Sequence, residues 1–380
     1  MSITESINAY SGSIIFLWSG YLLSMLFFYC FNYKYRITYS GRTDGTIGKM
    51  VKFISRTICI LPVALPVAFR GIYTGADTYN YWQGYLRFQN YDFIDAITYD
   101  LTSFFYNIIR WIVVRLSGGN VQIFFFLFSF VTLYFVVLAI EAWNLKNGCT
   151  ALCFFYCCFG PNLMNQMRQM LAVAILLYAY KFAYEKNLKK YCVYAIIAGL
   201  FHFSALLSAV IIWMLQKEKK NKLKEYAFYT AMCIGMLCMQ HILSLLAIFM
   251  ESTKYGSLYL ENYVGENTAI GFGLILSIIP NVIPVFWLQK KLDRENRFRN
   301  TIFMTLPIRL AGYYSYFVQR VMYYFCVESI IALPMALENT KKNKKYVKLV
   351  LYVLNVSYFI LYYVVAHGDG YFPYTTCFNG

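Results

Sequence analysis

Apolar stretches of roughly 17 to 24 residues recur along the whole chain, each long enough to cross a ~30 Å hydrocarbon layer as a helix. That recurrence constrains the fold more than any motif does, because lipid cannot satisfy loose backbone groups and a spanning segment must bond its own. Of 380 residues, 59% are hydrophobic and 14% charged, too little polar surface for a water-soluble globule of this size. The expected fold is an all-α, polytopic integral membrane protein of about 10–12 transmembrane or re-entrant helices. With no sequence repeat or soluble linker, residues 1–380 read as a single domain.

A net charge of +16 raises nucleic acid as a partner, but the cations are not gathered on a soluble domain. Segments 34–52, 181–190, 217–225, 289–300 and 338–348 hold 24 of the 34 Lys and Arg residues. By the positive-inside rule these loops are cytoplasmic. The first eleven residues carry Glu5 and no Lys or Arg, so run 12–33 reads as a retained first span rather than a cleaved signal. Placing every basic loop inside gives spans near 12–33, 53–69, 120–142, 149–160, 166–184, 226–249, 268–289 and 347–367, with both termini outside. Stretches 190–216 and 301–337 begin and end in basic loops, so each is expected to be a helical hairpin, with tips near His202 and Arg320. The first is too short for two full crossings and reads as a re-entrant pair, which survives only against protein or a wet cavity.

Residues 70–119 form the one long outer loop. Within it Leu101, Phe104, Phe105, Ile108 and Ile112 recur at helical spacing opposite Ser103, Asn107 and Arg110, the pattern of an interfacial helix. Pro62 with Pro66, and Pro280 with Pro284, predict kinked spans. Cys149, Cys153 and Cys157 share a helix face but have no His or acid beside them, and read as small packing residues. His202, His241 and His367 follow no metal-ligand spacing.

This topology brings Arg70, Asp77, Arg168, His202 and Arg320 to one depth, the outer third of the membrane. Ionisable groups there are costly and by default line a polar cavity. Each has a plainer reading taken alone: an exposed turn for Asp77, snorkelling to headgroups for Arg168, a hydrogen-bonded packing residue for His202, and an intrahelical partner such as Glu328 for Arg320. Their common depth favours a shared site.

Four blocks then stand in order: RGIYTGADTYNY at 70–81, NQMRQMLAVAI at 165–175, HFSAL at 202–206 and GYFPYTT at 370–376. Together they resemble the EpsG-type, Wzy-like polysaccharide polymerases of bacterial envelopes. Where that pattern commonly has Gly-Thr-Asp, this chain has Gly75, Ala76 and Asp77, so no hydroxyl stands at 76. The resemblance implies polymerisation of undecaprenyl-diphosphate-linked repeat units into O-antigen, capsule or exopolysaccharide, at the outer face of the cytoplasmic (inner) membrane. Donor and acceptor are both lipid-linked glycans, and a chain-length regulator and a flippase are candidate partners.

Breaking a sugar–diphosphate bond calls for cationic clamps, and Arg fits phosphate through two donors at once. On this reading Arg70 and Arg168 bind the diphosphate with Arg320 as a third, while Asp77, or else His202, takes the acceptor proton. No cofactor is called for, and arginine clamps make a divalent metal unnecessary. The competing classes are a polyprenyl-phosphate-sugar glycosyltransferase, a lipid-linked oligosaccharide flippase and a membrane O-acyltransferase. A flippase predicts charges through the whole depth, and an acyltransferase predicts a cytosolic opening.

Overall fold

The computed structural model describes residues 3–39, 45–100, 103–216, 276–292, 297–311 and 320–378, with four isolated positions between 227 and 234. Apart from those four positions the expected span 226–249, with His241, lies outside the described residues, as does the first part of 268–289. The fold is all-α; among the described residues the nearest thing to a strand is one isolated bridge between Arg70 and Thr376.

A short α1 (Ile3–Ala9) leads into α2 (Ser11–Tyr39), which packs on α3 (Thr46–Ala68). The segment that follows carries α4 (Thr78–Arg87), α5 (Phe93–Thr98) and α6 (Phe104–Leu116), and returns to the bundle through α7 (Val121–Ala142). Then come α8 (Gly148–Cys158), the single turn α9 (Asn162–Asn165), α10 (Met167–Tyr184), α11 (Leu188–Phe201) and α12 (Ser204–Leu215). Among the described residues four helices are long and apolar enough to cross a membrane: Ser11–Phe31, Thr46–Ala68, Val121–Ala142 and Lys344–Val365. Their boundaries follow the apolar runs because an uninterrupted apolar stretch in lipid has no other regular solution.

The spine of the bundle is α10. Met170 to Leu177 are buried in unbroken succession, so the helix is enclosed on every face. Ala172, Ala174, Ala179 and Ala183 are small enough to let α7 and α11 approach closely. At about 1.5 Å per residue it separates Arg168 from Lys181 by about 20 Å. It thus fixes a basic end, with Lys181, Lys186 and Lys190, and an opposite end, with Arg168. The chain reverses between α11 and α12 at His202–Phe203, on Arg168's end.

Among the described residues there follow α13 (Val282–Trp287), α14 (Arg297–Phe303), α15 (Thr305–Ala311), α16 (Tyr323–Cys326), α17 (Ser329–Glu338) and α18 (Lys344–Tyr358), which runs on as a π-helical turn over Phe359–Val365, with short 3-10 turns at Gln289–Lys291 and Gly368–Gly370. Arg297 donates to the Tyr184 carbonyl at 2.7 Å, at the basic end. Gln169 donates to the Arg320 carbonyl at 2.7 Å, at the opposite end. Glu338 accepts from the Asn147 backbone N–H at 2.9 Å, at the basic end again.

Two local expectations change. Pro62 and Pro66 sit inside a continuous α3, but the helix around Pro280 does not merely kink. It stops in a turn and restarts at Val282, where Pro284 falls in the first turn and its missing N–H costs nothing. In α6 the face carrying Asn107 and Arg110 is buried against protein, while Ile112 and Leu116 are exposed. Against lipid the apolar face belongs outside, so the polar face turns inward.

Candidate active site

The segment after α3 is built to hold a tight backbone. Gly75 has φ +85°, a region that L side chains rarely adopt. A Cβ on Gly71 would lie 2.3 Å from Thr375 Oγ1, so only glycine lets the two segments approach. They are laced together: the Gly71 N–H donates to the Thr375 carbonyl at 2.8 Å, the Gly75 N–H to the Gly370 carbonyl at 2.9 Å, and the Cys377 N–H to the Phe69 carbonyl at 2.8 Å. Tyr371 and Tyr363 both donate to Asn162 Oδ1, at 3.0 and 3.4 Å, which ties the C-terminal segment to α9 as well.

Arg70 lies beneath this clasp, 1% exposed. Its Nε donates to Thr78 Oγ1 at 3.0 Å, and its terminal nitrogens to the carbonyls of Val67 and of Met164, the latter at 3.0 Å. The guanidinium also sits over the Phe125 ring, 3.9 Å from its centroid. Burial pushes it down to about 9, still cationic at neutral pH, with neighbouring tyrosines acting in the opposite sense. The structure therefore uses Arg70 to fasten 70–78 onto the α9–α10 junction, with most of its donors already engaged.

Asp77 stands at the start of α4, its backbone N–H donating to Asn165 Oδ1 at 2.5 Å. Its Oδ2 faces an Arg320 terminal nitrogen at 3.5 Å, with both side chains 28% exposed. A second pair lies alongside, Arg168 with Asp100 at 3.4 Å, and the same Arg168 nitrogen donates to Ser103 Oγ at 2.7 Å. Tyr81, one turn along α4 from Asp77, is half-buried and within electrostatic reach of Asp77, Arg168 and Arg320. Burial pushes its phenol up to about 12; Arg168 and Arg320 act against that shift and Asp77 with it. At neutral pH Tyr81 is a hydroxyl.

His202 turns the corner between α11 and α12, its Nδ1 2.7 Å from Ser204 Oγ. Ser204 Oγ lies in turn 3.2 Å from Tyr324 Oη. Burial, and then the Arg168 and Arg320 guanidiniums, lower the imidazole to about 3, so it is neutral across the physiological range. Asp77, Arg168 and Arg320 are thus electrostatic neighbours of Tyr81, Arg168 and Arg320 are also neighbours of His202, and Arg70 is buried close by. Among the described residues no group of three or more His, Cys, Asp or Glu side chains is arranged to hold a metal ion.

The four sequence blocks are therefore one body: 70–81 is bound to 164–165 by Arg70 and Asp77 and to 370–376 by the clasp, and His202 of the third block faces Arg168 of the second. The model of the EpsG family matches residues 53–376. The chain belongs to the EpsG family. It is a membrane protein of polysaccharide biosynthesis. No curated protein and no solved structure matches it.

Within this EpsG-family chain, sequence reasoning did not single out Asp100, Ser103, Tyr81 or Asn165 as site residues. Asp100 and Ser103 meet Arg168 across more than sixty positions, a pairing that no local pattern encodes. Tyr81 had a usable signal, since four residues after Asp77 on a helix is one turn along the same face.

Proposed function

We propose that the chain polymerises undecaprenyl-diphosphate-linked oligosaccharide repeat units into O-antigen, capsular or exopolysaccharide on the outer face of the cytoplasmic membrane. The observation that carries this reading is the paired arrangement of Arg168–Asp100 and Arg320–Asp77, two part-exposed guanidiniums each held to a carboxylate at 3.4–3.5 Å beside a neutral His202. The basic loops at the far end of α10 support an outward orientation of this end.

In the reaction, the acceptor hydroxyl of one lipid-linked unit attacks the anomeric carbon of the glycan held on a second. A C–O bond forms, and the bond from that carbon to the diphosphate oxygen breaks with its electron pair staying on the oxygen. Undecaprenyl diphosphate leaves and a base takes the hydroxyl proton. Asp77 is the first choice of base and His202 the second. Arg320 and Arg168 bind the diphosphate, whose charge grows in the transition state. A diphosphate that draws Arg320 away from Asp77 frees that carboxylate for the proton, so binding and activation are linked. Arg70 contributes its fixed positive charge and the placement of Asp77 rather than direct contact. Three guanidiniums supply the charge that a divalent ion would, so the reaction is proposed to need no metal.

Deleting the gene tests the reading: cells should accumulate single lipid-linked repeat units and lose polymer. Disappearance of the units themselves would move the protein to an earlier step and overturn it.

A further inference from the structure

The outward surface of α4 carries an aromatic row that neither pair needs. Tyr73, 79% exposed, lies parallel to Tyr79 with ring centroids 6.1 Å apart and planes 13° from parallel. Tyr79 in turn lies 5.9 Å from Trp82. Gln83 donates to the Tyr79 hydroxyl at 2.5 Å, and Asn80 is exposed between them. The row starts at the Asp77 end of α4 and runs away from it along one helix face, since 79, 82 and 83 are three and four apart.

The composition of this surface separates it from the lipid-facing ones. Where α2, α11 and α12 expose large apolar groups these are chiefly aliphatic: Ile15, Leu22 and Leu26, Val193 and Ile196, Leu207 and Val210. Apart from the single methyl of Ala76, the Tyr73–Gln83 surface exposes rings, amides and hydroxyls, and no large aliphatic side chain. Hydrocarbon tails gain nothing from amides. A pyranose ring asks for that mixture: its C–H faces carry partial positive charge and lie on the negative π-face, while its hydroxyls need amide and phenol partners.

We infer that Tyr73, Tyr79 and Trp82 form a carbohydrate-binding platform, which holds the sugars of a lipid-linked glycan next to Asp77. This rests on the polymerase reading and gives it a subsite. Because the rings continue from the Asp77 end of α4, the sugar nearest the reacting bond meets Asp77 and Tyr79, and the following ones meet Trp82. The recognition is by ring faces and tolerates variation in sugar identity, as a platform for successive units of a polymer must.

The test compares Tyr73→Leu and Trp82→Leu with Tyr73→Phe and Trp82→Phe in the full-length protein expressed in the deletion strain, beside Asp77→Asn. Leucine keeps apolar area for lipid but removes the π-face, and phenylalanine keeps the face. The leucine variants should make polymer about five- to tenfold less efficiently and with a shorter length distribution, at unchanged protein level. The phenylalanine variants should stay within about twofold. In nanodiscs, the part of the tryptophan emission that Trp82→Phe removes should respond to the free oligosaccharide released by mild acid from the accumulated lipid-linked units, and should not be quenched by brominated phospholipid. Wild-type polymer from the leucine variants, with Asp77→Asn inactive, overturns the platform and leaves the polymerase standing. Quenching by brominated lipid assigns the row to the membrane interface and also overturns it. Full polymer from Asp77→Asn together with loss in the leucine variants removes the proposed base and keeps the platform.

Discussion

Asp77→Asn, alone and combined with Arg320→Gln, separates what the Arg320–Asp77 pair does for the fold from what it does for chemistry. The pair is 3.5 Å apart and each side chain is 28% exposed, which places it with ion pairs worth about 0.2–1 kcal/mol. Asp77 makes no side-chain capping bond to α4, so its carboxylate adds only about 0.3–1 kcal/mol of favourable interaction with the helix N-terminus, and Asn keeps the volume. The backbone bond to Asn165 is untouched by the substitution. For a chain of this length a loss of about 1 kcal/mol moves the melting temperature by about 2 °C. Loss of a general base costs roughly 10²–10⁴ in rate. The expected outcome is a detergent-solubilised variant that melts within about 2 °C of wild type and converts lipid-linked units at least a hundredfold more slowly. If Asp77 only restrained Arg320, the double variant would be no slower than Arg320→Gln alone; if the two act separately, the losses multiply. Full-length glycan from Asp77→Asn sinks the assignment of the base, and a melting drop beyond about 5 °C sinks the claim that the pair is cheap to the fold.

Arg168→Lys keeps the charge but loses the planar guanidinium, one terminal nitrogen of which meets both Asp100 and Ser103, and should lower turnover about 10- to 100-fold, measured on purified lipid-linked units, with less than about 1 kcal/mol lost in stability. His202 is lowered to about 3 in the fold, so the unfolded chain binds the proton first as pH falls below about 6.5. Its stabilising contribution is therefore complete above pH 6.5 and shrinks toward pH 3. Denaturation at pH 5 and pH 7 should show wild type losing on the order of 1 kcal/mol more than His202→Gln on acidification, and an equal loss in both would refute the shift. Gly71→Val forces atoms into Thr375, costs about 1–3 kcal/mol, and should open the clasp; faster maleimide labelling of Cys377 reads this directly.

Most of the bundle was legible because the solvent leaves few options. The runs 53–69, 120–142 and 347–367 became helices with ends shifted by a few residues, and α10 was visible despite Arg168 and Lys181 at its termini. The orientation of α6 was not legible. Amphipathic spacing shows that Asn107 and Arg110 share a face opposite Ile112, but says nothing of whether water, protein or lipid lies beyond each. The site divides in the same way. Arg70, Asp77, Arg168, His202 and Arg320 could be singled out because charge is rare in such a sequence. Their partners could not, since Asp100, Asn165 and the Met164 carbonyl are ordinary groups until the helices bring them close. The break at Pro280 shows the limit of reading a breaker locally, because proline removes a bond in either case and the packing around it decides between a bend and a stop.

Arg70 is an expensive residue to keep. It is a buried cation, and among the described residues its recorded partners are carbonyls, a hydroxyl, a thioether and a ring, with no carboxylate. Taking a charge out of water without a counter-ion costs several kcal/mol, only part of which carbonyl dipoles and a ring face return. If fastening were its whole purpose, an uncharged side chain with the same reach would do the work at less cost. The local charges suggest another purpose. Arg70, Arg168 and Arg320 stand against Asp77 and Asp100, and with His202 neutral the site has one uncompensated positive charge before substrate arrives. The proposed reaction adds one negative charge to the diphosphate as the glycosidic bond breaks. A fixed cation that no carboxylate neutralises is already oriented for that charge and has no reorganisation left to undergo when it forms. The clasp over Arg70 keeps water from screening it, so the residues that fasten the segment would also preserve the field that the proposed chemistry requires.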